Sequence, residues 1–176
     1  RFIVDEGEPL NELLYNKSID NIKALGIFKT VKSEIKNGSE PNLKIIELDV
    51  EEKPTGEISL AAGVGTGGST IGGGIVEKNF LGKGVNLKTN LEISEDSVKG
   101  RFIYSKPNFN YSDNTLFTSL KSTSKDNLTD FGYKVSELGF AVGTKFEQYE
   151  NLFFSPEIDI TIEDLETNSS ASKNLK

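Results

Sequence analysis

The sequence predicts a small α+β unit followed by antiparallel transmembrane β-barrel strands, and its character changes at Pro54. Three observations lead to this fold class. Apolar residues recur at helical spacing before that point, they alternate with polar residues after it, and turn-like stretches separate the alternating segments. We therefore divide the chain into residues 1–53 and residues 54–176.

A helix is predicted first, because its start, face and end all have signals. The Asn11 side chain is a suitable N-cap, since its oxygen can accept from the free amides of the first turn. Gly26 stands where a left-handed C-cap would end the helix. The apolar residues between them that recur near helical spacing are Leu14, Ile19, Ile22 and Leu25.

Two strands are predicted after this helix. The segments 28–35 and 43–50 carry enough apolar residues for half-buried strands, and Asn37-Gly38 is a tight-turn signal between them. Helix, strand, turn and strand form a coherent ending for a small α+β domain.

After Gly56 the apolar period becomes two, which is typical of strands with one apolar and one polar face. In the segment 85–93, for example, Val85, Leu87 and Ile93 share one face, whereas Lys88 and Glu92 lie on the other. We predict seven strands in this part of the chain, at 57–65, 69–79, 85–94, 97–106, 115–124, 136–147 and 152–163.

The strands of a soluble β-domain would also alternate apolar and polar residues, but two features favour a membrane barrel. The polar face carries small or charged residues, as a water-filled lumen requires, and aromatic residues gather near the strand ends, as in interfacial girdles. These aromatic residues are Phe80, Tyr104, Phe109, Tyr111, Tyr149 and Phe153. We favour the membrane barrel, with the soluble β-domain as an open alternative.

The amino-acid composition argues against several classes of function. The chain has no cysteine and no histidine, which removes thiolate chemistry, disulfides and the commonest general base, so we expect no enzymatic activity. Its net charge of −7 disfavours nucleic acid as a partner. No apolar run of about 18 residues is present, so no transmembrane helix is expected. The chain begins at Arg1 and lacks methionine, and we expect it to be an internal fragment.

The order of several motifs resembles the BamA family of POTRA–barrel proteins. Residues 50–59, VEEKPTGEIS, look like the junction between the last POTRA domain and the barrel, and Asn79–Gly84 looks like the loop between the second and third barrel strands. Residues 6–11 and 24–28 resemble POTRA patterns, and residues 146–150 resemble a periplasmic turn. Ser105–Phe109 departs from the family pattern in the residue before Pro107.

The resemblance implies that residues 1–53 are the C-terminal part of the last POTRA domain, in the periplasm. Residues 54–176 would then be about seven of about sixteen barrel strands in the bacterial outer membrane. The implied function is the folding and insertion of other outer-membrane β-barrel proteins. Expected partners are unfolded outer-membrane proteins, accessory assembly lipoproteins and outer-membrane lipid. A TamA-like or two-partner secretion transporter is the alternative within the superfamily. A soluble binding module is the alternative outside it.

Three groups of residues are expected to matter, and none is catalytic, cofactor-binding or metal-binding. The first barrel strand would form one side of a lateral seam that pairs with client strands. It contains Glu57, Ile58, Ser59, Leu60, Ala61, Ala62, Gly63 and Val64. The family-motif turn contains Asn79, Phe80, Leu81, Gly82 and Gly84, and the hinge between the two parts contains Glu52, Lys53, Pro54, Thr55 and Gly56.

Glycines in and after the first barrel strand raise two further expectations. In the strand itself they predict weak pairing at the seam, because glycine weakens a strand interior. Gly63–Gly68 also fits the dinucleotide fingerprint G-x-G-x-x-G, but a poor helix-forming segment follows it. We therefore interpret these residues as a hairpin turn between glycine-rich strands.

Overall fold

The computed structural model describes residues 2–40, 42–65 and 68–172, and the chain divides into two compact units, Arg1–Thr55 and Gly56–Lys176. The sequence-based division after Lys53 lies two residues before this one. In the described residues no helix is long and apolar enough to cross a membrane.

The first unit contains one helix, α1, at Glu12–Ala24. Its N-cap is Asn11, whose side-chain oxygen accepts from the backbone N–H groups of Leu13 and Leu14 at 2.9 and 3.2 Å. Gly26 follows the helix with a φ of +67°, the left-handed conformation that glycine adopts without strain. Both ends of the helix are therefore set by the residues that the sequence indicated.

The helix buries one face, and a two-stranded antiparallel sheet completes the first unit. Ile19 and Ile22 are buried, and the Tyr15 hydroxyl is 2.5 Å from the Ser33 hydroxyl on the sheet. The strands are β1, Phe28–Asn37, and β2, Lys44–Glu52. Predicted apolar positions at the helix start are less covered, since Leu14 is 41% exposed.

The predicted tight turn at Asn37-Gly38 is wrong. Asn37 pairs with Lys44, so residues 38–43 separate the two strands, and the Gly38 N–H donates to the Leu43 carbonyl at 2.8 Å. Gly38 lacks the positive φ that the second position of a type I′ turn requires. Asn-Gly here begins a longer connection instead of making the reversal alone.

The second unit is one antiparallel sheet of strands that follow each other in chain order. They are β3 Gly56–Gly65, β4 Gly68–Phe80, β5 Val85–Ser94, β6 Ser97–Lys106, β7 Thr115–Asn127, β8 Tyr133–Tyr149, β9 Leu152–Phe154 and β10 Glu157–Thr167. A short 3₁₀ turn, Phe109–Tyr111, lies between β6 and β7. The order across the sheet is β3-β4-β5-β6-β7-β8-β10, and β9 also pairs with β8. Within the described residues the sheet is open, with β3 and β10 at its edges.

The alternation after Gly56 located these strands, with one correction at the end. The predicted single strand at 152–163 is two strands, β9 and β10, interrupted at Ser155-Pro156. Proline has no N–H to donate to a ladder, so a continuous strand through Pro156 is disfavoured. The Pro156 carbonyl still accepts from the Thr144 N–H at 3.1 Å, which keeps β10 in register with β8.

The register places apolar side chains on one face of the whole sheet. Directly paired residues point to the same side, so one row can be followed from β3 to β10. This central row runs Ile58, Ile75, Thr89, Phe102, Leu120, Phe140 and Ile160. A neighbouring row on the opposite face runs Ser59, Gly74, Asn90, Arg101, Lys121, Gly139 and Thr161.

Candidate functional site

The apolar face of the sheet is its more exposed face. Along β8, the apolar residues Leu138 and Phe140 are 57% and 45% exposed, whereas Ala141 on the polar face is only 4% exposed. A curved sheet covers side chains on its concave side and spreads them on its convex side. We infer that the apolar residues lie on the convex side and the polar residues line the concave side.

The polar face carries ion pairs between strands, one between direct neighbours and one across an intervening strand. Lys99 pairs with Glu92 across β6 and β5 at 3.0 Å, and Lys121 on β7 reaches Asp159 on β10 at 3.8 Å. Both pairs are partly open to solvent, so each contributes little to stability. A charged, solvated concave face is what the wall of a water-filled lumen requires.

The predicted aromatic residues all lie at one end of the sheet, the end where β4, β6 and β8 finish. Phe80 and Tyr149 are the last residues of β4 and β8, and Phe153 lies in β9. Phe109 and Tyr111 fall in the 3₁₀ turn that follows β6. A band of aromatic residues at one level of a sheet is typical of a membrane interface.

The predicted seam strand is an edge strand. β3 pairs with β4 over ten residues without a register shift, and in the described part of the chain nothing pairs with its other side. All ten of its residues are exposed, and Ile58, Leu60 and Val64 expose 78%, 86% and 88% of their surface. An edge of this kind presents unpaired N–H and C=O groups to another strand.

The backbone groups at this free edge belong to the residues of the apolar face. The Ser59 carbonyl oxygen lies 3.3 Å from the point where a Cβ on Gly73 would stand, so it is directed at β4. Backbone groups alternate in the neighbour they face along an antiparallel pair. Ser59 and Ala61 therefore bond toward β4, and the free edge carries the N–H and C=O groups of the alternate residues, which include Ile58, Leu60, Ala62 and Val64.

The glycines of β4 accommodate side chains from the strands on either side. Leu60 Cδ2 lies 3.0 Å from the position of a Cβ on Gly73, and Ser59 Oγ lies 3.0 Å from that of Gly74. On the same face as Ser59, Asn90 Oδ1 comes within 2.7 Å of the Gly74 position. The expected weakness of pairing at the seam concerns the other side of β3 and stays a prediction.

The family-motif turn joins β4 to β5 and is organised by one side chain. The Asn79 Oδ1 accepts from the Gly84 N–H at 2.8 Å, and the Asn79 carbonyl accepts from the Gly82 N–H at 2.9 Å. Leu81, Gly82 and Gly84 all have positive φ, of 55°, 68° and 62°. Phe80 is the last residue of β4, where the turn begins.

The predicted hinge and the dinucleotide-like string both lie next to the ends of β3. Glu52 ends β2, Gly56 begins β3, and Lys53, Pro54 and Thr55 lie between the two strands. In the dinucleotide-like string, Gly63 and Gly65 belong to β3 and Gly68 begins β4, so a strand follows where the phosphate-binding mechanism needs a helix. The hairpin turn at residues 66 and 67 lies outside the described residues.

No group of three or more potential metal ligands comes together in the described ranges.

The chain is similar to a solved structure in its fold, whereas comparisons of its sequence find no match. No protein-family model matches the chain, and no curated protein matches it either. Among solved structures, it is similar to BamA from Haemophilus ducreyi lacking POTRA domains 1–3, with a TM-score of 0.82 and 23% identity. The fold is that of a BamA segment.

The similarity covers 94% of this chain but only 32% of the Haemophilus ducreyi chain. The chain therefore spans about a third of that structure. The predicted resemblance to the BamA family is confirmed at the level of the fold.

Sequence reasoning missed a second organising asparagine, at the opposite end of the sheet from the aromatic residues. Asn168 follows β10, and its side-chain N–H donates to the Leu128 carbonyl at 2.8 Å, while its backbone N–H donates to the Gly132 carbonyl at 2.8 Å. Gly132 has a φ of +75°, and Ala171 is buried close to it. The only sequence signal was a glycine in a polar loop, which does not identify its partner.

Proposed function

We propose that this chain is part of an outer-membrane β-barrel protein that folds and inserts other β-barrel proteins into the bacterial outer membrane. The observation that carries the proposal is the exposure of the apolar face, with β3 at an edge of the same sheet that no described strand covers. On this proposal the convex face contacts outer-membrane lipid. Unfolded outer-membrane proteins and accessory assembly lipoproteins are the protein partners.

A soluble β-domain predicts the opposite distribution of burial. Its sheet would cover the apolar face with a second layer and leave the polar face in water. In this sheet Phe140 and Ile160 are exposed while Ala141 is buried on the polar side. The burial pattern therefore favours contact of the apolar face with lipid over a role as a soluble binding module.

The first unit has the helix and hairpin expected of the C-terminal part of a POTRA domain, and we assign it to the periplasm. The TM-score of 0.82 over 94% of the chain supports this assignment, because the similarity extends well beyond the second unit. The aromatic end of the sheet would then lie at the periplasmic interface, since β3 begins at that end immediately after the first unit.

The proposed mechanism is strand addition at the free edge of β3, without covalent chemistry or a cofactor. Backbone N–H and C=O groups recognise an extended strand whatever its side chains, so one edge can serve many clients. Hydrogen bonds made inside a bilayer have no competing water, which raises the cost of leaving an edge unpaired there. An incoming strand would remove that cost on both partners at once.

A reversible disulfide lock tests the proposal. The chain contains no cysteine, so a cysteine introduced at Ala62 is the only one among its residues. With the full-length protein in lipid vesicles, one cysteine replaces Ala62 and the second is placed on the last barrel strand. We expect the oxidised protein to lose the ability to fold an added outer-membrane β-barrel protein, and reduction to restore it.

A second lock serves as the matched control. Cysteines at Ala62 and Ile71, which are direct partners on β3 and β4, join two strands that are already neighbours and leave the free edge open. We expect this protein to remain active when oxidised. Equal folding rates in the seam-locked and unlocked proteins would show that β3 is not the working edge.

A further inference from the structure

The free edge of β3 has a stretch, Ser59–Gly63, along which little side-chain bulk stands. We call this stretch the edge window. Ala61, Ala62 and Gly63 are small, and the two larger residues, Ser59 and Leu60, are directed away from the edge. Ile58 and Val64, which are larger and branched, flank the window on the apolar face.

Two contacts hold the larger side chains away from the edge. Leu60 Cδ2 lies 3.0 Å from where a Cβ on Gly73 would stand, which places the leucine side chain over β4. On the polar face the Ser59 hydroxyl donates to the Gly74 carbonyl at 3.4 Å. A side chain at position 73 or 74 would compete for the same space. These two glycines therefore determine where the side chains of β3 lie.

The window differs from the ends of the strand. Ile58 pairs directly with Ile75, whose side chain occupies the space over β4 that Leu60 has at Gly73. Glu57 is bound by Lys78 at 3.1 Å, so a charged pair stands at the start of the strand. Space for large side chains next to β3 is thus found along the edge window, and at Ser59 and Leu60 it depends on Gly74 and Gly73 of β4.

We propose that the strand that pairs with β3 carries large side chains at two consecutive positions opposite the edge window. The one opposite Leu60 is apolar and faces lipid, and the one opposite Ser59 is aromatic or long and polar and faces the lumen. This inference rests on the proposed function and specifies the client strand. Cross-strand contacts between side chains are the main source of preference between partners in an antiparallel pair, since the backbone bonds are common to all.

The test uses two synthetic nine-residue strand peptides that alternate threonine and valine. They differ only at two consecutive central positions, which are Phe-Tyr in one peptide and Ala-Ala in the other. Binding to the full-length protein in vesicles is measured by fluorescence of a labelled peptide. A single cysteine at Ala62, cross-linked to cysteines placed along the peptide, reports the register. We expect the Phe-Tyr peptide to bind about three- to tenfold more tightly, from two cross-strand pairs.

Three variants make the test specific. Gly73→Ala should displace the Leu60 side chain above it toward the edge and reduce the preference to less than about twofold. Gly74→Ala should do the same at Ser59, and it also displaces Asn90 on β5, whose Oδ1 lies 2.7 Å from the position of the added Cβ. Gly100→Ala is the matched control, because it adds a methyl group to the same row as Gly73 where nothing lies within 4 Å. It should keep the full preference.

The outcomes separate the two proposals. Cross-linking of both peptides at the window with equal affinity would overturn the size preference and leave strand addition at β3 intact. Retention of the full preference in both Gly73→Ala and Gly74→Ala would also overturn it. If neither peptide binds or cross-links at Ala62, strand addition at β3 fails, and the size preference fails with it.

Discussion

Lys121 lies across Gly139 to approach Asp159, with 3.8 Å between its Nζ and the carboxylate oxygen Oδ1. The three residues belong to β7, β8 and β10, so one lysine side chain spans a whole strand. Its methylene groups occupy the space that a Cβ on Gly139 would need. Glycine at position 139 is therefore a packing requirement of the concave face.

This contact predicts that Gly139→Ala lowers the free energy of unfolding by about 1–3 kcal/mol, because the added methyl group overpacks the site. Gly100→Ala adds the same group to a strand where it meets nothing, and it should change stability by less than about 1 kcal/mol. Urea denaturation of the protein in vesicles measures both. Equal effects of the two substitutions would contradict the packing role of Gly139.

Two adjacent alanines of β3 test which backbone groups form the free edge. Ala62→Pro removes an outward N–H, so it should impair client folding while β3 stays paired with β4. Ala61→Pro removes a donor directed at β4 and should instead loosen β3, which amide exchange along β4 would detect. Proline at Ser59 should act as Ala61→Pro does, because the backbone groups of both residues face β4. Unchanged client folding by Ala62→Pro would argue against strand addition.

Ile160 and Thr161 are neighbours on β10 that point to opposite faces, and both are exposed. If the apolar face meets lipid, Ile160→Lys should cost about 2–4 kcal/mol of folding free energy near mid-membrane, and Thr161→Lys should cost much less. Reversible folding into vesicles under urea measures the difference. Similar costs for the two substitutions would argue against a membrane location of this face.

The turn after β4 predicts opposite effects of two neighbouring substitutions. Leu81 holds a φ of 55°, so Leu81→Gly should relieve strain and leave stability equal or higher. Asn79→Ala removes the acceptor of the Gly84 N–H and should cost about 1–2 kcal/mol. Thermal unfolding of the two variants gives the comparison. A destabilised Leu81→Gly protein would mean that the leucine side chain matters more than its backbone conformation.

The helix cap offers a test confined to the first unit. Asn11→Ala should destabilise α1 by about 0.5–2 kcal/mol, because two backbone N–H groups lose their acceptor. Asn16 is exposed inside the same helix, and Asn16→Ala should stabilise it by a few tenths of a kcal/mol through propensity alone. Circular dichroism during thermal unfolding measures both signs. Unchanged stability of the Asn11→Ala protein would contradict the assignment of Asn11 as the cap.

Several elements could be read from the sequence because their signals are local. Asn11 and Gly26 bound the helix, and strict alternation located the strands of the second unit. The interruption of the last predicted strand was also local, since Pro156 stood inside it. Asn37-Gly38 misled because a turn signal does not fix how many residues a connection contains.

The candidate site was less accessible to sequence reasoning. The sequence indicated β3 as the working strand, but not which of its residues turn their backbone outward. That parity depends on the hydrogen-bonding register with β4, which a pattern of apolar residues on one strand does not determine. The positions of Leu60 over Gly73 and of Ser59 over Gly74 depend on the same register.

The backbone parity of β3 limits how a bound strand can move. Its outward N–H groups belong to the same residues whose side chains lie on the apolar face, at every second position from Ile58 to Val64. A partner that slips by one residue would turn its whole apolar face to the polar side of the sheet. Slippage by two residues keeps both faces in place, so translation along β3 is expected in discrete steps of about 6.8 Å, twice the rise per residue of an antiparallel strand. A client strand would therefore move along this edge only in steps of two residues.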